Sequence, residues 1–217
     1  MDAGDLHDHL LREGISRRVV DVMMSVPRDR FVPAGLSFRA WEDHAMAIGH
    51  GQTISQPTVV ALMTEAAAVG PGDHVLDVGT GSGYQAAVLA ACGARVHSIE
   101  RLAVLADRAR STLADLGYAV EVTCGDGSAG LPGEAPFDAI VVAAATRTVP
   151  PALLAQLREP GGGRRGGRLV IPLGEPSAWF GGQELVLLER VADGVARRKL
   201  LDVVFVPLVW DVAGPGS

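Results

Sequence analysis

This sequence of 217 residues has only two cysteines and lacks a net positive charge, and each of these features excludes classes of protein. Two cysteines, Cys92 and Cys124, lie far apart, without a CxxC pair or zinc-type spacing, which excludes a disulfide framework. We interpret both as buried free thiols of a reducing compartment. The net charge of −6 argues against a protein held mainly by phosphate backbones, so we do not expect a nucleic-acid partner.

Long apolar runs are also missing. No stretch approaches the roughly 20 residues that a membrane helix requires. The first residues, Met1 to Asp5, are acidic and lack the basic-then-apolar pattern of a secretion signal. With 48% hydrophobic residues and a mean hydropathy of +0.24, the chain can still bury a sizeable core. We therefore expect a cytoplasmic monomer without a membrane partner.

Hydrophobic periodicity divides the chain into parts. Residues 5–24 predict two short amphipathic helices, broken near Gly14 and ended by Pro27, and residues 28–51 are predicted to be irregular. Strands are predicted at 74–78, 95–99, 120–124, 137–142, 168–173, 184–190 and 197–206, and helices at 58–68, 84–91, 102–116 and 151–157. The alternation of strands and helices is typical of βαβ units in a largely parallel sheet. The last three strands have only loops between them, which favours antiparallel pairing.

The domain organisation follows from the same patterns. Because no linker interrupts the chain, we predict one domain over residues 1–217. Residues 1–57 form a helical and irregular N-terminal extension, and residues 58–217 form an α/β core with a mostly parallel, doubly wound sheet. The segment 160–167 is so rich in glycine that we expect a mobile hairpin rather than a packed element.

A glycine-rich loop connects the first predicted core strand with the helix that begins at Tyr84. The run from Asp77 to Gly83, DVGTGSG, leaves its backbone open to close approach by a ligand. Glu100 ends the next predicted strand, where a carboxylate can accept both hydroxyl hydrogens of a ribose. The loop and this acid together indicate an adenosine-containing ligand at the switch point of the sheet.

Two residues favour S-adenosylmethionine over a nicotinamide dinucleotide. The dinucleotide fingerprint requires a small residue at the position of Tyr84. Asp77 would repel a pyrophosphate but attract the ammonium group of a methionine moiety. Asp126, in a Gly-Asp-Gly turn after the third predicted core strand, could accept a hydrogen bond from the adenine amino group.

These residues, with several others, resemble the protein-L-isoaspartate (D-aspartate) O-methyltransferases. The matching stretches, in the order of the family, are 26–32 (VPRDRFV), 48–57 (IGHGQTISQP), 75–85 (VLDVGTGSGYQ), 125–127 (GDG), 135–142 (APFDAIVV) and 204–209 (VFVPLV). The resemblance implies a Rossmann-like, S-adenosylmethionine-dependent methyltransferase fold. It also implies methylation of the side carboxyl of L-isoaspartyl residues in damaged proteins and peptides. The ester then closes to a succinimide, whose hydrolysis returns some normal aspartate.

The resemblance also assigns roles to individual residues. Ser55 matches the active-site serine, which we expect to orient the substrate carboxylate by hydrogen bonding. The residues expected at the cofactor are Thr53, Ile54, Ser55, Gln56, Pro57, Asp77, Gly79, Thr80, Gly81, Ser82, Glu100, Arg101, Asp126 and Gly127. As an alternative, Ser55 caps the helix that begins near Thr58. We expect no metal site and no acid–base role for His44 or His50, because no acceptor there needs a proton.

Three other functions remain open. A relative could methylate a genuine aspartate in one dedicated precursor peptide of a biosynthetic route. A non-catalytic binding protein could have kept the fold, although the intact Ser55, Asp77, Glu100 and Asp126 argue against this. A nicotinamide oxidoreductase is disfavoured by Tyr84.

Overall fold

A computed structural model describes residues 1–175 and 182–209, which surround a central seven-stranded sheet. The helices are α1 (Ala3–Arg12), α2 (Arg17–Ser25), α3 (Pro57–Ala67), α4 (Tyr84–Ala91), α5 (Ala103–Asp115) and α6 (Pro151–Ala155). The strands are β1 (Met46–Gly49), β2 (Gln52–Ile54), β3 (His74–Val78), β4 (Arg95–Glu100), β5 (Val120–Cys124), β6 (Ala139–Val142), β7 (Arg168–Gly174), β8 (Gln183–Val191) and β9 (Gly194–Val203). Short 3-10 helices span Arg28–Phe31, Ala34–Arg39 and Gly127–Ala129.

The sheet has the strand order β5-β4-β3-β6-β7-β8-β9. Neighbours from β5 to β7 pair in parallel, whereas β8 and β9 pair antiparallel, as the loops between them predicted. The chain proceeds from β3 outward to β5 and then returns to the other side of β3 as β6. This reversal creates a switch point at the carboxyl ends of β3 and β6, where open sheets bind ligands.

Helices cover both faces of the sheet. On one face, Met63 of α3 and Leu89 of α4 pack with Val75 and Val141 of the sheet. On the other face, Leu153 of α6 packs in a second cluster that includes Leu76, Phe137 and Ile140. These two clusters hold the strand ends rigidly and so fix the loops that follow them.

The N-terminal helices form an additional layer over α4 and α5. Met23 of α2 belongs to the same buried cluster as Val88 of α4 and Leu105 of α5. The predicted break between the two helices is confirmed: Gly14 has a φ of 83°, and the Ser16 hydroxyl accepts a hydrogen bond from the Val19 amide. Residues 28–51 are less irregular than we expected, because β1 and β2 form an antiparallel hairpin.

The expectation for Cys124 is wrong, and that for residues 160–167 holds in part, because Gly161 and Arg164 pair as a hairpin. Cys92 is buried as expected, but Cys124 is exposed, because it ends the edge strand β5, most of whose side chains are uncovered. In the segment 160–167, Gly166 and Gly167 are buried, and a side chain at Gly166 would collide with the backbone of Arg190. Glycine serves close packing there.

The strand and domain limits also differ in part. β6 begins at Ala139 rather than at residue 137, and β9 spans Gly194–Val203 rather than 197–206. Residues 176–181 and 210–217 of the predicted domain lie outside the described residues. Among those described, no helix is both long enough and apolar enough to span a bilayer.

Candidate active site

A crevice of about 300 Å³ lies at the carboxyl ends of β3, β4 and β6. The predicted residues Thr53, Ile54, Ser55, Gly79, Thr80, Gly81, Ser82, Glu100, Arg101 and Gly127 all line it. The predicted residues Gln56, Pro57, Asp77 and Asp126 are not among the lining residues. The crevice therefore brings together the glycine loop, the end of β4 and the β1–β2 hairpin.

The glycines give this crevice its shape. Gly79, Gly81 and Gly83 have φ values of 91°, 53° and 90°, a conformation that other residues adopt at a cost in strain. A Cβ atom at Gly127 would lie 2.5 Å from Cγ1 of Val78. Any side chain at Gly127 would therefore displace the apolar wall of the crevice.

Glu100 is buried at the end of β4, with its carboxylate held by the backbone on both sides. Oε2 accepts a hydrogen bond of 2.9 Å from the Gly81 amide, and Oε1 accepts one of 2.9 Å from the Leu102 amide. A carboxylate has about four acceptor positions, so both oxygens can still accept from a ribose. The residues present fit an adenosine ligand, because the carboxylate of Glu100 and the glycines, which carry no side chain, meet in one crevice.

Asp77 lies behind the wall of the crevice. Its carboxylate is fully buried; Oδ2 accepts a hydrogen bond of 2.7 Å from the Ser98 hydroxyl, and Oδ1 has no partner within the described part of the chain. The Ser98 hydroxyl is in turn 2.5 Å from the hydroxyl of Thr80, which does line the crevice. Burial raises the pKa of Asp77 to about 7. A cation bound nearby would therefore favour its ionised form.

Three further predicted residues lie outside the set that lines the crevice: Asp126, Gln56 and Pro57. Asp126 is exposed, and its Oδ1 accepts a hydrogen bond from the Ser128 amide, which caps the 3-10 helix after β5. Pro57 is the first residue of α3, one residue before the predicted start, and Gln56 is the N-cap residue of that helix.

Ser55 lies between the crevice and a second cavity of about 380 Å³. The two cavities share the residues Thr53, Ser55, Ala143 and Val206. The second cavity is otherwise lined by Ala45, Gln56, Val59, Leu201, Asp202, Val203, Val204 and Phe205. Within residues 1–175 and 182–209, the Ser55 hydroxyl makes no hydrogen bond, so it is available to a ligand from either side.

The alternative that Ser55 caps α3 is wrong. Asp43 performs that task from the preceding loop: its Oδ1 accepts a hydrogen bond of 2.8 Å from the Thr58 amide. Oδ2 accepts further bonds from the Thr58 hydroxyl and from the amide group of Gln56. Burial alone would raise the pKa of Asp43, but these hydrogen bonds lower it below its usual value.

Arg28 is a functional residue that the sequence analysis did not single out. Its side chain is fully buried; Nε donates to the Ala40 carbonyl at 2.8 Å, and Nη2 donates to the Ser55 carbonyl at 2.7 Å. The guanidinium carbon lies 4.7 Å from the ring centroid of Tyr84, a cation–π contact. Arg28 thus connects the Ser55 backbone to α4, the helix that follows the glycine loop. The sequence did offer one indication of its importance, because Arg28 lies in the stretch 26–32 that matches the family.

The two histidines of this region differ in position. His50 lines the crevice at the tip of the β1–β2 hairpin, with an unusual φ of 54°. His44 does not line it, and its Nε2 is 3.1 Å from the Arg39 guanidinium.

Comparison with known proteins places the site in context. A family model described as protein-L-isoaspartate(D-aspartate) O-methyltransferase matches residues 2–213. A relative from Synechococcus sp., named protein-L-isoaspartate O-methyltransferase, is 50% identical over 205 residues, covering 92% of this chain and 82% of the relative. A relative of the same name from Methylorubrum populi is 49% identical over 213 residues, covering 97% and 96%.

Solved structures agree with these relatives. A protein-L-isoaspartate O-methyltransferase from Plasmodium falciparum, determined with S-adenosyl-L-homocysteine, matches with a TM-score of 0.81 at 25% identity. The match covers 96% of this chain and 99% of that one. A second structure of the same name matches with a TM-score of 0.81 at 26% identity over 95% of this chain and 65% of that chain. The predicted α/β, Rossmann-like methyltransferase fold is therefore confirmed.

Proposed function

Because the chain belongs to the protein-L-isoaspartate(D-aspartate) O-methyltransferase family, we propose that its two adjoining cavities bring a methyl donor and a damaged peptide together at Ser55. The chain is an S-adenosylmethionine-dependent methyltransferase that methylates isoaspartyl residues, and its substrates are proteins that contain them. The observation that carries the proposal is the position of Ser55 in the wall that both cavities share.

The crevice would hold the cofactor. Glu100 accepts the ribose hydroxyls with the lone pairs that the Gly81 and Leu102 amides leave free. The backbone from Gly79 to Ser82 follows the methionine moiety, and Gly127 leaves room for the adenine. Arg101, at the rim, and Asp126, just outside, lie where the adenine end would emerge. When bound, S-adenosylmethionine supplies an electrophilic methyl group on a positively charged sulfur.

Asp77 would act through a second layer rather than by direct contact. Its carboxylate reaches the crevice through the hydroxyls of Ser98 and Thr80. Ionisation of Asp77 places a negative charge behind the wall, which attracts a cationic ligand through a medium of low dielectric constant. Of the three residues Asp77, Ser98 and Thr80, Thr80 is the one that lines the crevice and can contact a ligand directly.

The second cavity would hold the peptide substrate. Most of its lining is apolar, with Val59 from α3 and Val203, Val204 and Phe205 from β9 and the segment after it. Thr53 and Gln56 add polar groups next to Ser55. Such a surface accepts an extended chain of varied sequence, while the shared wall admits a carboxylate to the crevice.

Ser55 would orient the carboxylate and not act as a base or nucleophile. An aspartyl-type carboxyl has a reference pKa near 4, so it is already an anion at neutral pH. The Ser55 hydroxyl donates a hydrogen bond to one carboxylate oxygen, which points the other toward the methyl group. Ile54 and Val60 exclude water from the crevice. Positioning of this kind contributes several kcal/mol to the lowering of the barrier.

The product is a methyl ester, which leaves the enzyme and closes to a succinimide when the neighbouring backbone nitrogen attacks the ester carbonyl and methanol departs with the proton of that nitrogen. Hydrolysis of the succinimide returns part of the material to normal aspartate, so methylation begins a repair cycle. The relatives give no support to the alternative of a dedicated precursor peptide, since they carry the isoaspartate name.

The proposed setting is a single-domain monomer over residues 1–217, in the cytoplasm, with no nucleic-acid or membrane partner. The free cysteines Cys92 and Cys124 fit a reducing compartment. Residues 1–57 belong to the same domain, because their hairpin supplies Thr53 and Ile54 to the crevice. Light scattering after gel filtration should give a mass near 22.6 kDa; a dimer mass would overturn the monomer.

The deciding experiment measures methyl transfer from labelled S-adenosylmethionine to paired synthetic peptides. The peptides are identical except for L-isoaspartate or L-aspartate at one site. We expect strong preference for the isoaspartyl peptide across several flanking sequences. Equal rates on both peptides would refute the proposed substrate, and transfer to the aspartyl peptide alone would restore the precursor alternative.

A further inference from the structure

A second polar cluster lies at the other end of the sheet from the crevice. His74 is the first residue of β3, and His97 lies in the middle of β4, where it is the register partner of Leu76. Because side chains alternate along a strand, His74 and His97 project from the same face of the sheet. Glu134, in the turn before β6, completes the group.

The donor atoms of these three side chains converge. One ligand atom from each of His74, His97 and Glu134 lies within 4.8 Å of the other two. Nε2 of His97 is 3.5 Å from Oε2 of Glu134. Two ligands of tetrahedral zinc, each about 2.0–2.1 Å from the metal, are about 3.3 Å apart. The histidine–glutamate pair is therefore already close to the separation that zinc requires.

One ring nitrogen of each histidine, Nε2, is buried and has no hydrogen-bond partner among the described residues. His97 is 2% exposed, and its Nε2 makes no hydrogen bond; Nε2 of His74 is likewise buried and unpartnered. A buried polar atom without a partner is uncommon in a folded protein and calls for a missing ligand. Nε2 of His97 faces Glu134, and one donor atom of His74 lies within 4.8 Å of both side chains, so a single cation could satisfy all three groups.

A carboxylate lies beside the ring nitrogen of His97 that points away from Glu134. Oε2 of Glu121, the register partner of His97 on β5, is 3.7 Å from Nδ1 of His97. Histidine ligands of metals are typically fixed in this manner, through the ring nitrogen that does not bind the metal.

We propose that His74, His97 and Glu134 form a binding site for a zinc-class divalent cation, with water as the fourth ligand. Two imidazoles and one carboxylate are donors that zinc prefers. The site lies at the amino ends of β3 and β4 and would tie the turn before β6 to the sheet. It is separate from the cofactor crevice at the carboxyl ends.

One group competes with the cation. Arg95 Nη2 is 3.3 Å from Oε2 of Glu134 and 4.0 Å from Oε1 of Glu121. The Arg95 and Glu134 side chains are 61% and 41% exposed, so this ion pair is weak and can be displaced. The sequence analysis missed the site because its ligands lie on three separate elements, with no motif spacing.

The test titrates the untagged full-length protein with Co²⁺ alone and then displaces it with Zn²⁺. We expect one Co²⁺ per chain, the strong visible bands of four-coordinate cobalt, and a rise in melting temperature with Zn²⁺. Glu134→Gln, in a partly exposed turn, should weaken Zn²⁺ binding more than about tenfold, as should His97→Gln. Arg95→Gln should strengthen it several-fold.

Matched controls distinguish this site from adventitious binding. Glu13→Gln and His7→Gln alter exposed or partly exposed residues of the N-terminal layer and should leave Zn²⁺ affinity unchanged. Methyl transfer by Glu134→Gln should match that of the unaltered protein, which shows that the fold is intact. The proposal is overturned if Co²⁺ uptake is absent, lacks the four-coordinate bands, or is the same in Glu134→Gln and His97→Gln as in the unaltered protein.

Discussion

Strands β3 and β4 carry polar groups at both ends, but the two ends are organised differently. At the carboxyl ends, the oxygens of Glu100 already accept hydrogen bonds from the backbone and keep further acceptor positions. At the amino ends, the Nε2 atoms of His74 and His97 are buried and have no hydrogen-bond partner among the described residues. The first arrangement suits a ligand that donates hydrogen bonds, such as a ribose. The second requires a ligand that accepts electron pairs, such as a cation.

The difference shows how a sheet of this kind can hold two independent sites. The strands between the two ends are covered on both faces by the apolar clusters, so neither site has to deform when the other is filled. Mutations can therefore be aimed at one end, with the other end as an internal control. Four predictions test this separation, in order of decreasing effect.

The largest effect is expected at Asp77, which lies on β3 between the two ends. Burial raises the pKa of its carboxyl to about 7, so the folded protein retains a proton that the unfolded chain loses near pH 4. This contribution to the free energy of unfolding is complete below about pH 4 and is lost, by a few kcal/mol, as the pH rises through about 7. Asp77→Asn should abolish this loss, measured by urea unfolding between pH 4 and 8.

The control for this prediction is Asp193→Asn, in the exposed turn between β8 and β9. It should unfold with the same pH dependence as the unaltered protein. If the difference in unfolding free energy between Asp77→Asn and the unaltered protein is constant over this range, the buried carboxyl does not hold a proton.

Glu100→Ala should affect only the carboxyl end. Loss of hydrogen bonds to a charged acceptor, each contributing about 1.5–3 kcal/mol, should weaken binding of S-adenosylhomocysteine about 100-fold. Isothermal titration calorimetry measures the dissociation constant. Glu134→Ala, at the opposite end, should bind S-adenosylhomocysteine as tightly as the unaltered protein. An unchanged dissociation constant in Glu100→Ala would refute the ribose contact.

Ser55→Ala should separate turnover from cofactor binding. Removing one hydrogen bond that orients the carboxylate should lower kcat about tenfold, while the affinity for S-adenosylhomocysteine stays unchanged. Ser111→Ala, on the exposed side of α5, is the matched control and should have normal kcat. Undiminished kcat in Ser55→Ala would contradict the orienting role.

Arg28→Lys should have the smallest effect. A lysine keeps the positive charge but cannot donate to the carbonyls of Ala40 and Ser55 with the fork of a guanidinium. The loss of one hydrogen bond, about 1 kcal/mol, should lower kcat about fivefold because Ser55 is held less firmly. Arg30→Lys, exposed two residues later, should behave as the unaltered protein. Equal kcat values for the two variants would show that Arg28 does not position Ser55.

Sequence reasoning predicted the carboxyl end well because its parts are local. The glycine loop is a continuous segment between a strand and a helix, and Glu100 ends the next strand. The parallel core strands, the antiparallel last strands and the two N-terminal helices were also predicted from periodicity, loop lengths and the break at Gly14. These features depend on neighbours in the chain, which a sequence displays directly.

The remaining features depend on contacts between distant segments. Asp43 caps α3 from 15 residues upstream, so the closer Ser55 was the natural but incorrect choice. Arg28 resembles a surface residue until Ala40 and Ser55 close over it. The exposure of Cys124 depends on β5 being an edge strand, which apolar pattern alone does not reveal.

The edge position of β9 affects how this enzyme meets partly unfolded protein substrates. β9 is an edge strand with unpaired backbone groups. An extended segment of a damaged, partly unfolded protein could pair with such an edge as an additional strand and aggregate there. Lys199 and Arg197 of β9 pair with Glu184 of β8, so its early half presents charge to any incoming strand. Its final residues, Leu201 to Val203, line the second cavity. The charged side chains of β9 therefore disfavour the addition of another strand along this edge.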